Sequence, residues 1–134
     1  MSLRTFLVED SPLVRDGLAE LLHELTPVQI VGTAADESAA LLQLRHIDGA
    51  LDLLIVDLFL ASGSGLGVLR SALHGASTAR CVILTNYSSS EMRKRCCAMG
   101  ADDVFDKSSE LDDLVAYCIR LHGGLNLDSA RLLN

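Results

Sequence analysis

The sequence predicts an α/β fold, a five-stranded parallel sheet doubly wound by helices on both faces. Three observations predict it. Five short runs rich in leucine and β-branched residues alternate with five segments whose apolar residues recur at helical spacing. The runs Leu53-Leu54-Ile55-Val56 and Cys81-Val82-Ile83-Leu84 show no polar alternation, as expected of central strands covered on both sides. With 134 residues, 49% hydrophobic and only 4% aromatic, the chain has length for one core, and its leucine and alanine suit helices on an apolar sheet better than an aromatic-rich barrel.

The first strand is Thr5-Phe6-Leu7-Val8, followed by Glu9-Asp10. Ser11 as N-cap and Pro12 at the first helical position start a helix whose apolar stripe is Val14, Leu18, Leu21, Leu22 and Leu25. Thr26-Pro27 ends it. Val28 to Thr33 reads as the second strand, and Asp36-Glu37-Ser38 opens a second helix that runs to Ile47 and closes at Asp48-Gly49. The third strand, Leu53 to Val56, stops at Asp57. Gly63-Ser64-Gly65-Leu66-Gly67 leads into a third helix near Val68-Leu69; it lacks the spacing of either phosphate-loop motif and reads as a flexible connection. The fourth strand stops at Thr85. Ser88 with Glu91 forms a capping box for a fourth helix carrying Met92, Cys96 and Met99, which Gly100 is placed to stop. Val104-Phe105 make a brief fifth strand ending at Lys107, and Ser108 or Ser109 caps a last helix with Leu111, Leu114, Val115 and Cys118 on one side. After Gly123-Gly124 the chain is expected to trail off. The pattern is that of a flavodoxin-like (βα)5 fold with strand order 2-1-3-4-5. Residues 1–124 are expected to form the domain, with residues 125–134 expected as a short tail and no output domain.

The net charge of -7 opposes general affinity for nucleic-acid backbones and anionic membranes. No apolar stretch approaches the roughly 20 residues that cross a bilayer, and the start lacks the apolar core of a secretion signal, so a cytoplasmic protein is expected. Cys81, Cys96, Cys97 and Cys118 form no C-x-x-C pair and have no histidine at zinc spacing, and read as reduced packing residues. His23, His46, His74 and His122 have no nucleophile or metal spacing and read as surface residues.

Glu9, Asp10, Asp57, Thr85 and Lys107 each stand where an apolar run stops and a helix is about to begin. Right-handed crossovers place all such strand ends on one edge, where ligand chemistry collects. Strands lie about 4.8 Å apart, so these residues can surround one small group. Three clustered carboxylates repel unless protonated or bridged by a cation, and hard oxygen ligands with open positions suit Mg²⁺. An aspartate beside that metal can attack phosphorus, and the metal, an ammonium and a hydroxyl are the parts that hold the transferred phosphoryl.

Glu9-Asp10, Asp57, Thr85 and Lys107, in that order on this strand–helix rhythm, resemble the receiver domain of two-component response regulators over nearly all of Arg4 to His122. Gly65 at the start of the third helix matches as well. The resemblance implies that Asp57 accepts phosphoryl from a phosphohistidine of a sensor histidine kinase or histidine phosphotransfer protein. It implies that Asp10 and Asp57 bind Mg²⁺ with the backbone carbonyl of Phe59, and that Glu9 acts on the metal mainly through water. Lys107 then pairs with one phosphoryl oxygen and Thr85 swings in to hold another. The chain would catalyse only its own phosphorylation and dephosphorylation, and a phosphorylation-dependent homodimer through the fourth helix, fifth strand and fifth helix is a further expectation.

The chain departs from the family at Ala61 and Ser108, where proline is frequent, and at Asn86, where a smaller residue is usual. Val104 stands at the aromatic switch position, with Phe105 one place later and therefore on the other face of the strand. A metal-dependent phosphohydrolase with an aspartate nucleophile is the alternative, but enzymes of the haloacid dehalogenase type carry a second acid where Phe59 stands. A flavin or nucleotide binder would need a hydroxyl- or glycine-rich loop where Glu9-Asp10 stands. Arg93-Lys94-Arg95 is either a solvated stripe or a docking patch complementary to Asp102-Asp103 and Asp112-Asp113.

Overall fold

Strands β1 (Leu3–Val8), β2 (Val28–Ala34), β3 (Leu53–Asp57), β4 (Arg80–Thr85) and β5 (Asp103–Asp106) form one parallel sheet in the order β2-β1-β3-β4-β5. The helices are α1 (Pro12–Leu25), α2 (Glu37–Leu44), α3 (Gly65–His74), α4 (Ser90–Ala98) and α5 (Leu111–Leu133). The structure is a computed structural model that describes residues 2–47, 49–74, 79–86 and 88–133, without the side chains of residues 74 and 125–133. None of the described helices is long and apolar enough to cross a membrane.

Two apolar layers cover the sheet, and strand alternation sorts residues between them. On one side Phe6, Val8, Leu54, Val56, Cys81, Ile83 and Val104 meet α2, α3 and α4 through Ala40, Val68, Leu69 and Cys96. On the other, Leu3, Leu7, Leu53, Ile55, Val82, Leu84 and Phe105 meet α1 and α5 through Leu18, Leu22, Leu114 and Cys118. All of β3 is buried, as its unbroken apolar run requires. A sheet that is parallel throughout, with helices on both sides, sends every strand's carboxyl end to one edge.

The element order, strand order and core strands match the expectations, and the differences are local. In α1 only Leu18 and Leu22 are buried, while Val14 and Leu25, in its first and last turns, are exposed. Helix α2 stops at Leu44 rather than Ile47; Ile47 still packs against the core, and Asp48 lies outside the described residues. The cap of α4 is Ser89, whose hydroxyl accepts the Met92 N–H at 3.1 Å, because Ser88 is turned to Asp106. Helix α5 starts at Leu111, after a turn over residues 107–109, so neither Ser108 nor Ser109 caps it. It continues past Gly123-Gly124 to Leu133 where the tail was expected to trail off. A helix-interior glycine costs about 1 kcal/mol relative to alanine, which is too little to be a stop by itself. Among the cysteines, Cys97 is exposed and the other three are buried; burial pushes the thiols of Cys81 and Cys118 up to about 11 and about 12.

Leu22→Ala should lower unfolding stability by about 3 kcal/mol, since it opens a cavity in a filled layer. Leu25→Ala, half-exposed, should cost under about 1 kcal/mol. Urea unfolding of both variants checks the pair, and similar losses would mean that the layer extends to the helix end.

Candidate functional site

Glu9 follows β1, Asp57 and Thr85 are the last residues of β3 and β4, and Lys107 follows β5, so the parallel sheet brings all four to its carboxyl edge. The backbone fixes each one. Glu9 N–H donates to Ala34 O at 3.0 Å, Leu58 N–H to Leu84 O at 2.8 Å, and Lys107 N–H to Thr85 O at 2.9 Å. Gly65 is required by close approach: a Cβ there would stand 2.1 Å from the backbone oxygen of Asp57. The first turn of α3 therefore presses directly on the end of β3.

The Lys107 ammonium donates to Glu9 Oε2 at 2.5 Å and to Asp57 Oδ2 at 2.9 Å. Its side chain is only 12% exposed and those of Glu9 and Asp57 are less so, which limits screening by water. Carboxylate oxygens of Glu9, Asp10 and Asp57 lie within 4.8 Å of one another. Burial raises the Glu9 carboxyl above its ordinary range, with Lys107 opposing that and Asp57 adding to it. Burial also works against the Lys107 ammonium, but the two carboxylates outweigh it and the group stays protonated more firmly than an exposed lysine.

Second contacts distinguish the three acids. Glu9 is buried, and Oε1 accepts the N–H of Ser11, the N-cap of α1, at 3.2 Å, at a helix end that favours negative charge. Arg15 donates to the Glu9 carbonyl at 3.0 Å. Asp10 is half-buried and its Oδ2 accepts the Ala61 N–H at 3.0 Å. Asp57 Oδ1 accepts the Phe59 N–H at 3.3 Å. The Phe59 side chain, at the place of the missing second acid, is largely exposed. These three carboxylates offer hard oxygens from two strand ends, with Asp10 toward solvent, and that donor set suits a hard divalent cation that keeps part of its water.

A second carboxylate system, not evident from the sequence pattern, lies one residue from the lysine. Asp106 accepts the Ser108 hydroxyl at 2.5 Å, the Ser88 hydroxyl at 2.8 Å and the Ser108 N–H at 2.8 Å, and these bonds hold its carboxyl well below the usual range. The Ser88 bond ties the β4–α4 connection to the end of β5. Arg93 donates to the Val104 carbonyl at 2.9 Å and pairs closely with Glu110, whose Oε1 also accepts the Asp106 N–H. Two residues of the expected complementary surface are thus used internally: Arg93 pairs with Glu110, and Asp102 takes the Cys81 N–H and a contact with Arg80 at 3.5 Å. The adjacent Asp-Lys in the sequence was the available signal for Asp106, masked by Lys107.

Val104 is buried on the α4 side of the sheet, the side on which Thr85 falls by strand alternation. Phe105 packs on the opposite side, edge-on to Tyr117 with ring centroids 5.8 Å apart. Tyr87, the other aromatic near Thr85, lies outside the described residues. No cis peptide occurs among the described residues, Lys107–Ser108 included.

The family model for the response regulator receiver domain matches residues 5–119. The DNA-binding transcriptional activator DevR/DosR of Mycobacterium tuberculosis is 33% identical over 88 residues, covering 66% of this chain and 40% of that protein. A protein-glutamate methylesterase/protein-glutamine glutaminase of Methanospirillum hungatei is 30% identical over 103 residues, covering 75% of this chain and 30% of that protein. The chain therefore spans less than half the length of either. A crystal structure of a LuxR-family two-component response regulator from Aurantimonas superposes with a TM-score of 0.80 at 29% identity, covering 92% of this chain and 87% of that one.

Lys107→Met should lower stability by about 3 kcal/mol at neutral pH, because it leaves buried carboxylates unpaired. A raised Glu9 makes its ionised form a cost that disappears as the pH falls to the ordinary carboxylate range, so the deficit against the parent should shrink on acidification. The parent's own gain from Lys107 is present below the ordinary lysine pKa and lost as the pH rises through the raised folded value. Thermal unfolding across pH checks this; a deficit that is constant or grows on acidification contradicts it.

Proposed function

Because the chain belongs to the response regulator receiver family, we propose that it accepts a phosphoryl group on Asp57 from a phosphohistidine of a sensor histidine kinase or histidine phosphotransfer protein, and so switches or relays a signal in the cytoplasm. The observation that carries this reading is the Lys107 ammonium held between Asp57 and Glu9, with Asp10 beside them at the sheet edge. An Asp57 carboxylate oxygen attacks phosphorus, a P–O bond forms, the P–N bond breaks, and the donor imidazole leaves with that electron pair. The product carries more negative charge than the carboxylate it replaces. Lys107 and the Thr85 hydroxyl are the groups within the fold that take it up.

Mg²⁺ is the proposed cofactor, and when bound it supplies positive charge to the phosphoryl oxygens. Asp10, Asp57 and the Phe59 carbonyl are the proposed direct ligands, with Glu9 acting mainly through water. The greater exposure of Asp10 supports its direct role over Glu9. Phosphohydrolase turnover is not favoured, since Phe59 brings no second acid. We propose that the chain catalyses only its own phosphorylation and dephosphorylation. A phosphorylation-dependent homodimer through α4, β5 and α5 would use Lys94 and Arg95 against Asp112 and Asp113, all exposed.

With valine at the aromatic position, the Ser88–Asp106 bond is the link that carries a movement of Thr85 to β5 and α5. Phosphorylation draws Thr85 toward Asp57 and pulls on that bond.

Mass spectrometry after incubation with Mg²⁺ and a small acyl phosphate should find one hydroxylamine-labile phosphoryl group; an unchanged yield in Asp57→Asn would sink the assignment. In Mg²⁺ titrations Asp10→Asn should lose more affinity than Glu9→Gln, and the reverse order would exchange their roles. Amide spectra with and without beryllofluoride should change most between residues 85 and 107, and Ser88→Ala should reduce the changes in β5 and α5. Changes confined to the metal ligands would mark a phosphoryl store in a relay.

A further inference from the structure

The glycine-rich segment after β3 is neither a nucleotide loop nor a loose connection. Phe59 and Ser64 face each other across an antiparallel bridge, so residues 59–64 make a tight turn whose two flanks are held by carboxylates from other elements. On one flank the Ala61 N–H donates to Asp10 Oδ2 at 3.0 Å. On the other the Ser64 N–H donates to Glu37 Oε1 at 2.8 Å, and the Glu37 N–H reaches the Ser62 carbonyl at 3.4 Å.

Two glycines are shaped to this arrangement. Gly67 lies against the Glu37 carboxylate so closely that a Cβ would stand 2.5 Å from Oε1 and 2.6 Å from Oε2. Gly63 has a φ of +81°, and a Cβ there would meet the Glu37 Cβ at 2.5 Å. Neither position tolerates a side chain while Glu37 stays where it is.

We propose that Glu37, at the start of α2, is a positioning residue for the metal site. It sets the height of the turn that carries the Phe59 carbonyl and the Ala61 N–H, and so fixes both the carbonyl ligand and the orientation of Asp10. The inference rests on the proposed metal-dependent function of Asp10 and Asp57. Glu37 itself touches no metal or phosphoryl group, and its effect passes through the backbone of residues 59–64. Outer residues of this kind change metal affinity by about tenfold or more.

The test compares Glu37→Ala, Glu37→Gln and Gly67→Ala with the parent, reading Mg²⁺ affinity, amide shifts of residues 59–64 without metal, and the melting temperature. Glu37→Gln keeps an oxygen acceptor for the Ser64 N–H and should bind Mg²⁺ like the parent. Glu37→Ala should bind about tenfold more weakly, with shifted Ala61 and Ser64 amides, and excess Mg²⁺ should restore its phosphorylation. Gly67→Ala, which pushes the carboxylate off Ser64, should behave like Glu37→Ala, and the double variant should be no weaker than either single one. Loss in Glu37→Gln equal to that in Glu37→Ala, or additive losses in the double variant, would overturn the proposal, as would parental Mg²⁺ affinity in Glu37→Ala. A parent that binds no Mg²⁺ would overturn the underlying functional reading and this inference with it, whereas a parent that binds normally while Glu37→Ala matches it overturns this inference alone.

Discussion

One ammonium holds Glu9 and Asp57 together at the end of a parallel sheet, and the remainder of the site depends on that contact. Strand spacing of about 4.8 Å forces the carboxylates close, and burial makes Glu9 costly to ionise. Lys107 offsets part of that cost but cannot neutralise three carboxylates. The residual negative charge leaves the site poised for a cation, and Asp10 is the acid best placed to receive one because its carboxylate is the most exposed. The same lysine is already within reach of the position where a phosphoryl on Asp57 would need a partner.

The fold supplies precision through backbone contacts that reach the site from several directions. Gly65 lets α3 rest on the Asp57 carbonyl, the Lys107 amide is paired to the Thr85 carbonyl, and the turn after β3 is suspended between Asp10 and Glu37. Beyond the lysine, Asp106 gathers Ser88 and Ser108, while Arg93 and Glu110 brace the same strand end. These contacts join the β4–α4 connection to the residue before α5 without an aromatic side chain.

Much of this was legible in the sequence because strands buried on both faces announce themselves as unbroken apolar runs, and the residue that ends such a run must sit at the sheet edge. Glu9, Asp10, Asp57, Thr85 and Lys107 are all such run-ending residues or their immediate neighbours. Boundaries were harder: Leu25 keeps the helical period of its stripe yet is half-exposed in the last turn, and Ser88 looked like a cap because its pairing with Asp106 is set by tertiary approach. Glu37 was read only as a helix opener. Its carboxylate acts on residues far along the chain, and the signal for that lay in the glycines it excludes from carrying a side chain, which sequence alone renders as flexibility.

The most direct test of the central claim is a crystal structure with Mg²⁺ and beryllofluoride. Beryllium should be bonded to an Asp57 carboxylate oxygen, a metal ion held by Asp10 and Asp57, and the Lys107 ammonium moved from Glu9 onto a fluoride. An adduct at another residue, or one on Asp57 with Lys107 still paired to Glu9 and no contact with fluoride, would contradict it.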